Sequence, residues 1–184
     1  MKVNQLQNTE YTSFYAGYIQ AVSDEYNLVE ELEISVHRLI KFVQNIPMDK
    51  FDYRYAEGKW TIKDILLHLI DAERIFAYRA LRFARKDKTP LASFDENIYV
   101  DVANANQRSL QDLLTELAVV RQATLSLFKS FSEEDLMQIG TASNHPMSVR
   151  ALGFVIIGHQ EPRPLRCKIT DVISLLSCSA AVLQ

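Results

Sequence analysis

The chain has 184 residues, 48% of them hydrophobic and 23% charged, with a formal net charge of -3. This length suits one domain with a substantial buried core, and the near-balanced charge excludes a global field that would attract nucleic acid or an anionic membrane. The first residues, MKVNQLQNTEYTSFY, form no apolar leader, and no later run approaches the roughly 20 apolar residues that cross a bilayer, so a cytoplasmic protein is expected.

Glycine and proline, five of each, fall almost entirely between periodic segments, as long helices joined by loops require. No strand-like alternation persists, and the expected fold is all-α. The first predicted helix covers about 23–46, where Val29, Leu32, Val36, Leu39, Ile40 and Val43 recur at steps of three and four until Pro47 stops it. A second starts at Thr61, where Thr61-Ile62-Lys63-Asp64 reads as a capping box, the hydroxyl accepting a free backbone N–H while the carboxylate reaches back. Its apolar stripe is Ile62, Ile65, Leu66, Leu69, Phe76, Ala77 and Ala80, and the basic run Arg79 to Lys88 reads as its solvated end, where cations favour the dipole.

Residues 87–106 form a polar loop anchored by Phe94 and Tyr99, long enough to serve as a cover over a pocket. The third predicted helix spans about 105–131 on Leu110, Leu113, Leu114, Leu117, Thr124, Phe128 and Phe131. A second box, Ser132 to Asp135, opens a short helix that Gly140 ends. The fourth starts near Ser148, carries Val149, Leu152, Val155 and Ile156, and reaches His159, beyond which Pro162 and Pro164 forbid an ordinary continuation. Four amphipathic helices must bury their stripes against one another, so a four-helix bundle is expected, with a long loop between helices two and three.

Two charges fall inside the stripes. At about 100° per residue, Glu73 lies between Leu69 and Phe76, and Arg121 between Leu117 and Thr124. Each would be costly to bury alone and tolerable with the other, which predicts a Glu73–Arg121 pair between helices. The competing reading makes Glu73 a catalytic acid or metal ligand.

The histidines carry the chemistry. His68 sits about 120° from the centre of its stripe, within reach of Asp64 and Asp71, as suits a metal-bound imidazole whose second nitrogen donates to a carboxylate. It would equally suit a surface histidine in a salt-bridged helix. His159 falls on the edge of the stripe of Leu152 and Ile156, where a buried imidazole needs a partner, and a metal shared with His68 would supply one. A third helical ligand would stand four residues on, at Arg163, a permanent cation that cannot ligate. Glu161 could turn inward if Pro162 breaks the helix. His37 reads as a surface residue, and His145 could approach one end of the bundle. The only cysteines, Cys167 and Cys178, match no zinc spacing.

The block KWTIKDILLHLIDAER, Lys59 to Arg74, followed by FAYRALRFAR, TPLASFDEN and SVRALGFVIIGH, resembles the DinB-like superfamily of four-helix, metal-dependent proteins. The resemblance implies a DinB-like four-helix bundle domain over residues 1–160, followed by an atypical tail at 161–184. It implies a divalent metal, zinc or nickel, on three histidines, of which His68 and His159 match two; the third falls on Arg163, so weak binding or none is expected. Homodimers, and relatives with thiol S-transferase or isomerase activity, are further implications. The tail is expected to be a shifted reading frame or a rearrangement. The first functional reading is a metal-dependent enzyme of transferase or hydrolase ancestry with a degenerate site, acting on a small molecule. The alternative is a non-catalytic dimeric bundle serving as a stress-response interaction module. Nucleic-acid binding is not expected.

Overall fold

The computed structural model describes residues 1–54 and 56–161. The helices are α1 (Ser13–Gln20), α2 (Leu28–Gln44), α3 (Ile62–Ala84), α4 (Glu96–Ala103), α5 (Leu110–Lys129), α6 (Glu133–Leu136) and α7 (Val149–Gln160), with a hairpin of β1 (Ile139–Ala142) and β2 (His145–Ser148) ahead of α7. The long elements α2, α3, α5 and α7 form the bundle: α3 packs against α5 and α7, and α2 against the same two.

Local chemistry sets the helix ends. Asn27 caps α2, its Oδ1 accepting from Val29 N at 3.1 Å and Glu30 N at 3.2 Å while the Glu30 carboxylate takes Asn27 N at 3.1 Å. This cap starts the helix five residues after the predicted Ser23. Thr61 Oγ1 accepts from Asp64 N at 3.0 Å and Asp64 Oδ2 from Thr61 N at 2.9 Å, closing the box expected from the sequence. Ser132 and Asp135 repeat that arrangement at α6. Ser109 caps α5, so the third long helix begins after a short 3-10 turn at Ala105–Gln107 rather than within it.

Three elements depart from the sequence expectation. α1 and α4 are short helices in segments lacking a sustained apolar period. The hairpin pairs Ile139 with Ser148 and Ala142 with His145, and its turn residues Ser143 and Asn144 have φ of 53° and 63°. Two successive residues with positive φ match the right-handed twist of the flanking strands, and Asn tolerates that region better than most. The loop before α4 joins the hairpin: Leu91 N donates to Thr141 O at 2.9 Å and Ser143 N to Leu91 O at 3.0 Å.

α7 is buried on every side from Val149 to Gly158 and apolar there except for Arg150, so it runs through the middle of the protein. Its N-terminal end is tied to the first residues of the chain. Arg150 Nε donates to Glu10 Oε2 at 2.7 Å, Ser148 Oγ donates to the same oxygen at 2.8 Å, and Arg150 Nη2 also reaches Gln5 O at 3.1 Å. Burial pushes the Glu10 carboxyl up, but the bonds from Arg150, Gln7 and Ser148 outweigh it and hold Glu10 below its ordinary value.

Glu73 and Arg121, each 1% exposed, meet between α3 and α5. Arg121 Nε donates to Glu73 Oε1 at 2.8 Å and Nη2 to Glu73 Oε2 at 3.0 Å. Nη1 serves Leu32 O at 2.6 Å and Ser35 Oγ at 2.8 Å on α2, and Nη2 also reaches Gln160 Oε1 at 2.6 Å on α7. All five guanidinium N–H groups are therefore used. Gln160 completes the circuit by donating to Glu73 Oε2 at 2.6 Å, so one polar cluster ties all four long helices together.

Candidate functional site

His159 is the one residue of α7 left partly exposed, and it faces the partly exposed His68 of α3. Their Nε2 atoms stand 3.2 Å apart. An aromatic box surrounds the pair: Trp60 lies 4.9 Å from the His68 ring, and Tyr18 and Phe76 lie 5.2 and 5.9 Å from the His159 ring, centroid to centroid. Gly158 permits this arrangement. A Cβ there would come within 1.9 Å of Tyr18 O, so only glycine lets α1 settle on α7 and bring Tyr18 beside His159.

The imidazoles form part of the wall of a cavity of about 210 Å³. From α3 it is lined by His68, Ala72, Phe76 and Arg79; from α1 by Phe14, Tyr15 and Tyr18; and from the loop and hairpin by Phe94, Ser143 and His145. His145 stacks on Phe14 at 5.5 Å, so three of the four histidines share one cavity, while His37 is exposed on α2. Burial pushes the Tyr18 hydroxyl above its ordinary value, with the charges of Glu96 and Tyr15 acting in the same direction.

Each carboxylate that the sequence sets within reach of His68 has a described partner of its own. Asp64 is used at the start of α3: besides its cap bonds it accepts from Asn106 Nδ2 at 3.1 Å and pairs with Arg54 at 3.0 Å. Asp71 takes Arg74 Nη1 at 3.5 Å; burial pushes its carboxyl above the ordinary value, against the pull of Arg74. Glu73 belongs to the polar cluster and does not line the cavity. Glu161, which the sequence allowed as an inward ligand, is held by Arg38 Nη2 at 2.6 Å. Arg163, the two prolines beyond Glu161, and both cysteines lie outside the described residues.

Arg79 is the residue that sequence reasoning misplaced. Counted there as part of a solvated basic run, it is 3% exposed, because the loop before α4 and the hairpin turn close over it. Its Nη2 donates to Ala92 O at 2.9 Å and Ser143 Oγ at 3.0 Å. Tyr18, Trp60 and Gln160 were not identified as site or network residues either. Nothing local marks Tyr18, whose role depends on packing across Gly158; Trp60, directly before the Thr61 box, was the more readable signal.

The donor set can be tested against a metal. Two nitrogens bound to one zinc at about 2.05 Å and the tetrahedral angle stand about 3.3 Å apart, close to the spacing of the two Nε2 atoms. Two imidazoles therefore fit two positions of an ion. Among the described residues no group of three or more His, Cys, Asp or Glu side chains could hold one.

Comparison with known proteins agrees with this architecture. The profile of the DinB superfamily matches residues 31–161. The chain belongs to the DinB superfamily. It is 23% identical over 118 residues, 64% of this chain and 67% of the relative, to an Oceanobacillus iheyensis protein named "Putative metal-dependent hydrolase". A Bacillus cereus protein with the same description is 23% identical over 131 residues, 71% of this chain and 73% of its own. YfiT from Bacillus subtilis, described as "a probable metal-dependent hydrolase with an unusual four-helix bundle topology", superposes with a TM-score of 0.66 at 16% identity, covering 88% of this chain and 91% of that one. Its likeness shows the fold. No helix among the described residues is long and apolar enough to cross a membrane.

Proposed function

We propose that this DinB-superfamily chain is a metal-dependent enzyme of hydrolase or thiol-transferase type, acting on a small molecule in the cavity between α1, α3 and α7. The observation that carries the reading is the Nε2 spacing of 3.2 Å between His68 and His159, on two different helices, at the wall of an aromatic cavity. The names of the two curated relatives support the metal-dependent hydrolase side of this reading. His68 and His159 would hold a divalent ion, zinc or nickel, which when bound supplies Lewis-acid polarisation of an oxygen or sulfur at the reacting centre. Two neutral ligands bind such an ion weakly, so partial occupancy and ready exchange are expected.

The chain's own residues supply the surroundings. Trp60, Tyr18 and Phe76 cover part of each imidazole with aromatic surface, which would strengthen electrostatic interactions there. The polar cluster fixes Gln160, which restrains the adjoining His159 at the end of α7. His145 shares the cavity, stacked on Phe14.

Zinc and nickel titrations of chelator-treated protein, followed through the histidine ring resonances, test the proposal. Perturbation of His68 and His159 together, abolished in His68→Ala, supports it. A chain whose histidine resonances ignore both metals refutes it and favours the non-catalytic interaction module.

A further inference from the structure

Arg79, Arg121 and Arg150 are all buried, and their surroundings differ in one respect. Arg121 is matched by Glu73 and Arg150 by Glu10. Arg79 meets the carbonyl of Ala92 and the hydroxyls of Ser143 and Tyr15, and no described carboxylate pairs with it. A guanidinium taken out of water without a counter-charge is costly, and burial pulls Arg79 below the ordinary arginine value while leaving it charged. The unmatched charge is also the one that lines the cavity shared by His68 and His159.

The surroundings indicate what would complete it. The Phe76 and Phe94 rings lie 5.9 Å from the guanidinium carbon, so the charge stands against aromatic surface in a wall that also carries Tyr15, Ser143 and His145. A fork of N–H groups in a desolvated setting matches a carboxylate geometrically and electrically. At about 210 Å³ the cavity is smaller than the roughly 300–1,000 Å³ of sites for drug-sized ligands, so the ligand must be small. Glu96 also borders the cavity, but it is exposed on α4, where solvent screens its charge.

We infer that Arg79 is the anchor for a small carboxylate with an apolar or aromatic body, bound in the cavity with its body towards His68 and His159. The inference deepens the reading given under the proposed function, but it makes a claim about Arg79 that holds with or without a metal. Ser143, Ala92 and Tyr15 then act as positioning groups that hold the guanidinium while its remaining N–H groups meet the anion.

Binding of benzoate and of its neutral counterpart benzamide, followed by ring-current shifts of the cavity residues, tests this on full-length protein treated with chelator. Benzoate is expected to bind at least tenfold more tightly than benzamide, and Arg79→Met to remove that preference. Arg79→Lys keeps the charge and should keep part of the preference, which separates loss of the anchor from loss of fold. Equal affinity for the two probes, failure of benzoate to bind, or a preference surviving in Arg79→Met overturns the inference. Repeating the titration with zinc distinguishes the two proposals: an Arg79-dependent preference without zinc stands even if His68 and His159 prove not to bind metal. A preference that appears only with zinc and ignores Arg79 retains the metal and discards the anchor.

Discussion

Replacing Glu73 by glutamine alters two heavy atoms' chemistry and almost no volume, yet the geometry around it forbids a satisfied amide. In the native protein Oε1 accepts from Arg121 Nε and Oε2 accepts from both Arg121 Nη2 and Gln160 Nε2, so three donors converge on two oxygens. An amide turned either way sets its own NH₂ against at least one of those donors. Gln160 cannot relieve the conflict by flipping, because its Oε1 accepts from Arg121 Nη2 at 2.6 Å and a flip would point a donor at the guanidinium. The variant also leaves Arg121, 1% exposed, without a counter-charge. Removing one partner of a buried pair costs about 3–5 kcal/mol, and the remaining amide oxygen places this change near the lower end, about 3 kcal/mol. Against a total stability of about 5–15 kcal/mol for a typical domain this is a large fraction. With a urea slope of about 2 kcal/mol/M, the unfolding midpoint followed by circular dichroism should fall by about 1.5 M. The double variant Glu73→Leu, Arg121→Met should lose much less than the sum of its single changes, since neither charge is then left alone. A Glu73→Gln protein within about 0.5 kcal/mol of wild type would refute the reasoning, because a surface substitution typically costs no more than that.

Other consequences can be checked on the same material. Glu10 has a folded-state value below its ordinary 4.5, so its contribution is complete above that pH and is lost as pH falls through the lower folded value. Acid unfolding should therefore become less steep in Glu10→Gln than in the parent chain, and identical profiles would contradict this. Gly158→Ala sets a Cβ 1.9 Å from Tyr18 O; the displaced α1 should cost about 1–3 kcal/mol by thermal melting and weaken the contact between Tyr18 and His159 rings, visible as a changed His159 ring shift. Thr61→Ala deletes the acceptor for Asp64 N and the bond from its hydroxyl to Asn106 Oδ1 at 2.8 Å, for a loss of about 1–2 kcal/mol in urea unfolding. Asp87, held down to about 2 chiefly by the hydrogen bond from Arg82, should titrate higher in Arg82→Gln by carbon-detected NMR while staying below the ordinary 3.8, because the Thr89 hydrogen bonds remain.

What could be read from the chain follows from the range of the interaction concerned. The boxes at Thr61–Asp64 and Ser132–Asp135 close within three residues, so their residue types and spacing suffice. The Glu73–Arg121 pair could be anticipated because each charge breaks an apolar period, and burial allows few remedies for a charge. The Asp64 carboxylate shows the limit of that logic: helical spacing places it within reach of His68, but its described partners are the Thr61 N–H, the Asn106 amide and the Arg54 cation. The hairpin leaves little trace in the sequence because Ser143-Asn144 is a weak turn signal, and Leu91 of a distant loop completes its hydrogen bonding.

The sequence by itself determined the long helices, their polar interruptions and the two histidines, because periodicity and capping are local and a buried charge announces its need for a partner. Only the tertiary structure decided which side chains surround those histidines. Tyr18 arrives across Gly158, Arg79 is buried by a loop and a turn 13 and 64 residues away, and His145 is brought in by the hairpin. Each depends on packing between segments far apart in the chain, where the gain comes from burying surface collectively and no local residue pattern records it.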